Sequence, residues 1–521
     1  MNGSEAMVQT LLAAGIDTCF ANPGTSEMHF VSALDRATQM RCVLGLFEGV
    51  VTGGADGYYR MAEKPAATLL HLGPGLGNGL ANLHNAKRAH SGIVNIVGQH
   101  ALDHIHNDAP LNSDVEAVAR PMSHWVKTTR SATEAPMDTA EAISQATSTP
   151  GRIATLVLPA NCAWESADPG RYASAPAQTA AAPLTDSILA IAKILSDKNL
   201  ATQTTLLLGG AALRAKAAML AGRIAGKTGC KLASEPRNPR MERGRGRVNI
   251  RPLPFPVAGA VEMLKETRHL VLIGAAPPVA FFAYPDKPRM IKQPDCEVHT
   301  LATLTHDLEA TLQGLCDALD AGSATPADFA DEDKIITELP TGAANADNVG
   351  YVIAATLPPN AILIDEAVTS GRQLFKTMPM AQAHDCLDIT GGSIGFGLPC
   401  AVGAAVACPD RKVVALVGDG SAMYTIQSLW TMAREQLDVT VVIFANRSYR
   451  ILRGELTNMG GPAAGANAAR MLDLDKPNLD FVAIAKGHGV PGIQVNKLED
   501  LAAALRVAAA EKGPKLIELV M

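Results

Sequence analysis

Aromatic residues make up only 4% of this 521-residue chain and charged residues only 18%, with a formal net charge of −6. The acidic balance gives no basis for gripping nucleic acid or for a polybasic membrane anchor. Long apolar runs are missing too: the longest weakly polar stretch, residues 395–407, is too short and too rich in glycine to span a bilayer. No basic region precedes Leu11 and Leu12, so no secretory signal is expected. The nine cysteines contain no C-x-x-C pair, which reads as reduced, mostly buried thiols in a cytoplasmic protein. Internal repeats are not evident.

The chain is instead rich in small apolar residues: 47% is hydrophobic and 45 residues are glycine, so its cores pack backbones closely. At about 150 residues per domain the length allows three or four domains. Stretches 166–183 and 320–348, rich in Ala, Pro, Gly or acids without an apolar period, read as linkers and leave three units: 1–165, 184–330 and 345–521. Each alternates short β-rich runs with helical stretches, which predicts an α/β protein of three domains with parallel sheets flanked by helices. Strands are expected at 18–20, 41–47, 68–72, 93–97, 204–208, 270–273, 362–364, 413–417, 439–444 and 516–520. Segment 235–251 carries arginines at 237, 240, 243, 245, 247 and 251 and reads as a solvated loop.

The strongest chemical signal is in the third unit. The run Val413 to Val417 leads into Gly418-Asp419-Gly420-Ser421, a helical stretch follows, and the next strand ends at Ala445-Asn446. A G-D-G alone is a common turn; here the flanking strand and helix place Asp419 and Asn446 at the C-terminal ends of two parallel strands, where open α/β sheets bind ligands. A carboxylate and an amide oxygen suit Mg²⁺, and the glycines leave amide N–H groups free to approach a diphosphate. In the first unit, four strand ends deliver Thr25, Glu48, His71 and Gln99 to one rim. Glu48 stands among Leu46, Phe47, Val50 and Val51, where burial would favour a protonated, hydrogen-bond-donating carboxyl; capping of the following helix is the alternative.

Together these two halves resemble the thiamine diphosphate-dependent 2-oxo acid decarboxylase and acetolactate synthase family over nearly the whole chain. The family's G-D-G…N motif falls on Gly418-Asp419-Gly420 and Asn446. The resemblance implies thiamine diphosphate with Mg²⁺, the metal held by Asp419, Asn446 and the carbonyl of Ser448. It places the activating glutamate at Glu48, the apolar wedge that bends the cofactor at Ile394, and further cofactor contacts at Thr369, Ser370, Gly392, Gly418, Gly420, Ser421 and Tyr449. It also implies self-association as a dimer or dimer of dimers, with Glu48 and Asp419 supplied by different chains.

Asn22-Pro23-Gly24-Thr25 and the stretch from Leu70 to Asn78 look most like benzoylformate decarboxylase, which implies roles in substrate binding and proton transfer for Thr25 and His71, with Gln99 a polar neighbour. That enzyme's second catalytic histidine falls near Phe281-Phe282-Ala283-Tyr284, where no histidine stands; the phenylalanines would wall an apolar pocket. The expected activity is decarboxylation of a 2-oxo acid, with carboligation to an aldehyde or ketone as an extension. An acetolactate synthase-like condensation ranks second, and an acyl-CoA lyase using the loop arginines or a non-catalytic cofactor-binding protein third. His104 and His106 read as solvent-facing, His84 and His90 as surface or interface residues, and 456–469 as a flexible loop or lid.

Overall fold

The computed structural model describes residues 1–167, 178–459 and 464–521. Most of the expected linker 166–183, and residues 460–463 of the expected loop 456–469, lie outside the described residues. Of that loop's remainder, 456–458 complete the helix Arg450–Asn458 and 466–469 open the helix Ala466–Leu472.

The strands form three sheets. The first holds β1 (Thr18–Asn22), β2 (Arg41–Leu44), β3 (Ala66–Leu70), β4 (Ile93–Gln99), β5 (Trp125–Thr128) and β6 (Ile153–Pro159), in the order β2-β1-β3-β4-β6-β5, all parallel. The second holds β7 (Thr204–Leu208), β8 (Lys231–Ser234), β10 (His269–Ile273) and β11 (Glu297–Ala302), in the order β11-β10-β7-β8. The third takes β9 (Met241–Arg243), β12 (Ile362–Glu366), β13 (His384–Asp388), β14 (Val413–Gly418), β15 (Val439–Ala445), β16 (Gly492–Val495) and β17 (Lys515–Val520), in the order β16-β17-β15-β14-β12-β13-β9. Strands β3, β4, β6 and β15 are buried along their whole length, as expected of parallel sheets covered on both faces.

The arginine-rich segment is not the solvated loop its charge suggests. Its residues Met241–Arg243 form β9, which pairs antiparallel with β13 and so carries the middle of the chain onto the third sheet. Arg240 meets Asp385, Arg237 lies 3.1 Å from Asp388, and the Arg251 guanidinium sits 5.2 Å from the centre of the Phe375 ring. Asp388 and Asp385 thus engage Arg237 and Arg240, so this part of the charge run is a seam against the third sheet and not a free basic loop.

Small residues set the contact between the first and third sheets' helices. Helix α1 (Glu48–Ala62) follows β2, α2 (Leu72–Ala89) follows β3, and α3 (Gly397–Ala407) follows β13. A Cβ at Gly57 would stand 2.1 Å from the Cys400 carbonyl oxygen, and one at Gly403 would stand 1.9 Å from that of Gly54, so the α1–α3 crossing depends on glycine in both helices. Beside it Arg60 pairs with Asp56 at 2.7 Å, both side chains buried, and donates to the Asp388 carbonyl at 2.7 Å and Thr390 Oγ1 at 3.1 Å. Removing one partner of such a buried pair costs about 3–5 kcal/mol. Among the described residues no helix is long and apolar enough to cross a membrane.

Candidate active site

The third sheet's C-terminal edge carries the diphosphate motif. Strand β14 ends at Gly418, paired with Phe444 of β15, so Asp419 and Asn446 leave adjacent strand ends. The Asp419 carboxylate is 4% exposed. Its Oδ1 accepts from Gly420 N at 2.8 Å and its Oδ2 from Arg447 N, and no ion pair reaches it among the described residues. Burial pushes its carboxyl above the ordinary range in spite of these amide donors. Asn446 turns Oδ1 to Ser448 N at 3.1 Å and Nδ2 to the buried Ser370 hydroxyl at 3.2 Å. A buried carboxylate with no ion pair among the described residues, next to an amide oxygen, is a donor set that fits a hard divalent cation. The Tyr449 ring closes over the motif, since a Cβ at Gly420 would fall 2.4 Å from it.

Glu366, at the end of β12, was not singled out by the sequence. Its carboxylate is 1% exposed and accepts three backbone N–H groups: Gly395 at 2.7 Å, Phe396 at 3.1 Å and Gly397 at 2.6 Å. It thereby fixes the turn that presents Ile394, which packs partly buried on the core, and starts α3. Burial pushes this carboxyl up to about 7, outweighing the three donors. Gly392, at φ +74°, is exposed, and a Cβ there would stand 2.9 Å from the Phe281 ring. The Phe281 ring therefore stands beside the Ile394 turn, with Phe281 48% and Phe282 54% exposed.

On the first sheet's edge, Glu48 opens α1 and is half-buried; Asn78 Nδ2 donates to its Oε2 at 2.9 Å. The expected apolar enclosure is incomplete within the chain, because Leu46 is 46% exposed. His71 closes β3. A Cβ on Gly75 would lie 3.2 Å from Glu48 Oε1 and 3.3 Å from His71 Cβ, so the two side chains flank one glycine. The stretch from Leu72 to Asn78, rich in glycine, is the first part of α2; a Cβ at Gly73 would stand 2.0 Å from Ser113 Oγ, so a neighbouring side chain presses on the helix there.

His71 Nδ1 lies 2.7 Å from Oε2 of the buried Glu27. Glu27 also accepts from Gly24 N at 2.7 Å and from Ser26 Oγ at 2.8 Å. Gly98 makes room for this carboxylate, since a Cβ there would sit 1.7 Å from Glu27 Oε1. Thr25 is exposed, and the hydroxyl that reaches His71, at 3.4 Å, is that of Ser26. Sequence reasoning missed Glu27 although it follows Thr25 by two positions; the available signal was an acid in a turn immediately after a buried strand. Gln99 is buried with its amide engaged by Ser113 O and His100 N, and it lines a cavity of about 380 Å³ with Asn112, Thr128 and Arg130.

Strained backbone marks three turns of the two edges. Leu72, Val368 and Arg447 adopt φ of +47°, +47° and +56°, next to His71, Thr369 and Asn446 respectively. Such conformations in branched or bulky residues concentrate at functional sites. His84 reaches the Gly391 carbonyl at 3.1 Å, an interface role, and His104 and His106 are exposed.

Comparison with known proteins agrees with both edges. Residues 1–123 match the thiamine pyrophosphate enzyme N-terminal TPP binding domain and residues 367–519 the C-terminal TPP binding domain. A Mycobacterium tuberculosis protein, provisionally named acetolactate synthase large subunit IlvX, is 48% identical over 100% of this chain and 99% of its own length. Benzoylformate decarboxylase of Pseudomonas aeruginosa is 29% identical, covering 99% of this chain and 98% of its own. The structure of a thiamine diphosphate-dependent 4-hydroxybenzoylformate decarboxylase from Rhodococcus jostii RHA1 superposes with a TM-score of 0.86 at 26% identity, over 100% of this chain and 99% of that one. The chain belongs to the thiamine pyrophosphate-dependent enzymes, in the group related to benzoylformate decarboxylase and acetolactate synthase.

Proposed function

We propose that the protein is a Mg²⁺-dependent lyase that decarboxylates a 2-oxo acid and in part joins the product to an aldehyde or ketone. The observation that carries this reading is the placement of Glu48 and His71 on either side of Gly75, with Glu27 behind the imidazole. Thiamine diphosphate, when bound, supplies the electron sink for the pair left on the former carbonyl carbon as CO₂ departs. Asp419, Asn446 and the Ser448 carbonyl would hold Mg²⁺; Thr369, Ser370, Gly392, Gly418, Gly420, Ser421 and Tyr449 would line the diphosphate cradle, with Ile394 as the apolar support. Glu48 would hydrogen-bond the pyrimidine ring of the cofactor.

The Glu27 carboxylate can only accept, so the His71 proton sits on Nδ1 and Nε2 is left to exchange a proton with substrate. Ser26, with Thr25 at the rim and Gln99 behind, supplies polar contacts. The proposed organisation is three domains, 1–165, 184–330 and 345–521, in a cytoplasmic dimer or tetramer with Glu48 and Asp419 of each site on different chains. The 48% identical relative favours a second reading, condensation of two 2-oxo acids. The test is CO₂ release and product analysis across small, branched and aromatic 2-oxo acids, with and without thiamine diphosphate and Mg²⁺. Release that needs both, with aldehyde or hydroxyketone products, supports the proposal. Acetohydroxy acid products would favour the second reading, and no release from cofactor-loaded enzyme would refute both.

A further inference from the structure

A cluster of metal-binding side chains lies in the middle sheet, and the thiamine chemistry makes no use of it. His269 opens β10 and Glu297 opens β11, directly opposite one another in parallel register; His299 stands two residues beyond Glu297, opposite Val271. The two-residue step puts His299 and Glu297 on one face of the sheet, and the register adds His269 to it. His269 Nδ1 is 3.2 Å from His299 Nε2, and each of these nitrogens is 3.7 Å from Glu297 Oε2. The imidazoles stack at 5.4 Å between centres. Among the described residues this is the group of three such side chains whose ligand atoms converge, all within 4.8 Å of one another.

The dimensions are those of one face of a metal tetrahedron. Bonds of about 2.0–2.1 Å to a tetrahedral ion place ligand atoms roughly 3.3 Å apart, close to the triangle observed here. The geometry points to a binding site for a borderline divalent transition ion such as Zn²⁺, held by His269, Glu297 and His299 with water in the fourth position. Two imidazole nitrogens and one carboxylate oxygen suit Zn²⁺ or Co²⁺ and not Mg²⁺, which prefers an all-oxygen shell. The site sits at the N-terminal end of β10 and β11, and β11 is an edge strand of its sheet, so the ion acts as a staple that pins the edge.

The test uses tag-free full-length protein, stripped of metal and then loaded with thiamine diphosphate and Mg²⁺. Titration with Co²⁺ is expected to give one equivalent with the visible absorption of a four-coordinate site, tighter than about 10 µM and displaced by Zn²⁺. His299→Gln and His269→Gln should each weaken binding more than about tenfold. Glu297→Gln, at a 70% exposed side chain that leaves folding intact, should do likewise. Absence of saturable binding in the wild type, a six-coordinate spectrum, or binding that survives His299→Gln and Glu297→Gln would overturn the proposal.

Discussion

The two rims that make up the candidate active site handle charge in opposite ways. On the third sheet's edge, Asp419 and Glu366 are buried carboxylates met by backbone amides, and burial raises both carboxyls. On the first sheet's edge, Glu48 is half-buried and bonded to an amide side chain, and His71 is backed by the Glu27 carboxylate in a chain of side-chain partners. Fixed amide donors around an uncompensated carboxylate suit a group that must hold a cation and keep its shape. A side-chain relay with access to solvent suits groups that gain and lose protons in each turnover. On the proposed function, the difference assigns retention to one edge and proton transfer to the other, although both edges are strand ends of similar parallel sheets.

Removing the proposed cation ligand should break the comparison most severely. Asp419→Ala is expected to abolish retention of thiamine diphosphate and Mg²⁺ on gel filtration and with it all turnover. A first-edge change should spare retention: Glu48→Gln should keep cofactor content at the wild-type level while cutting kcat by about 10²–10⁴-fold. Glu27→Gln sharpens the distinction between catalysis and positioning. It should lower kcat about tenfold to a hundredfold and alter the pH profile of kcat/KM, with KM nearly unchanged and cofactor content intact; the steady-state parameters across pH check it.

Glu366 predicts a smaller effect, on stability. Its carboxyl, at about 7 in the fold against 4.5 for an ordinary glutamate, binds its proton more tightly folded than unfolded. Stability is therefore full below about pH 4.5, falls as pH rises toward 7 and then levels, a loss of about 3 kcal/mol at most. Thermal unfolding from pH 5 to 8 should show that decline in the wild type and a flatter profile in Glu366→Gln.

Much of this site was legible as strand ends followed by particular residues. Val413 to Val417 and Val439 to Phe444 are apolar runs that no reading would miss, and they place Asp419 and Asn446. Other parts were hidden for physical reasons. Strand β13 reads His-Asp-Cys-Leu-Asp, and β9 carries Glu242 and Arg243; pairing of Arg240 with Asp385 across the seam is what lets such charged segments pair as strands. The start of α2 carries three glycines that mimic a loop, yet each of Gly73 and Gly75 faces a neighbouring side chain too near for a Cβ to be neutral. Glu27 lacks a local signature, because its importance arises from the fold, which brings it to His71 from the neighbouring strand end.

The most direct test of the division between the edges is the rate of proton–deuterium exchange at the thiazolium C2 of bound thiamine diphosphate, compared between wild type and Glu48→Gln. The account predicts full cofactor occupancy in both and exchange slowed by orders of magnitude in the variant. Unchanged exchange in a fully loaded Glu48→Gln enzyme would contradict it.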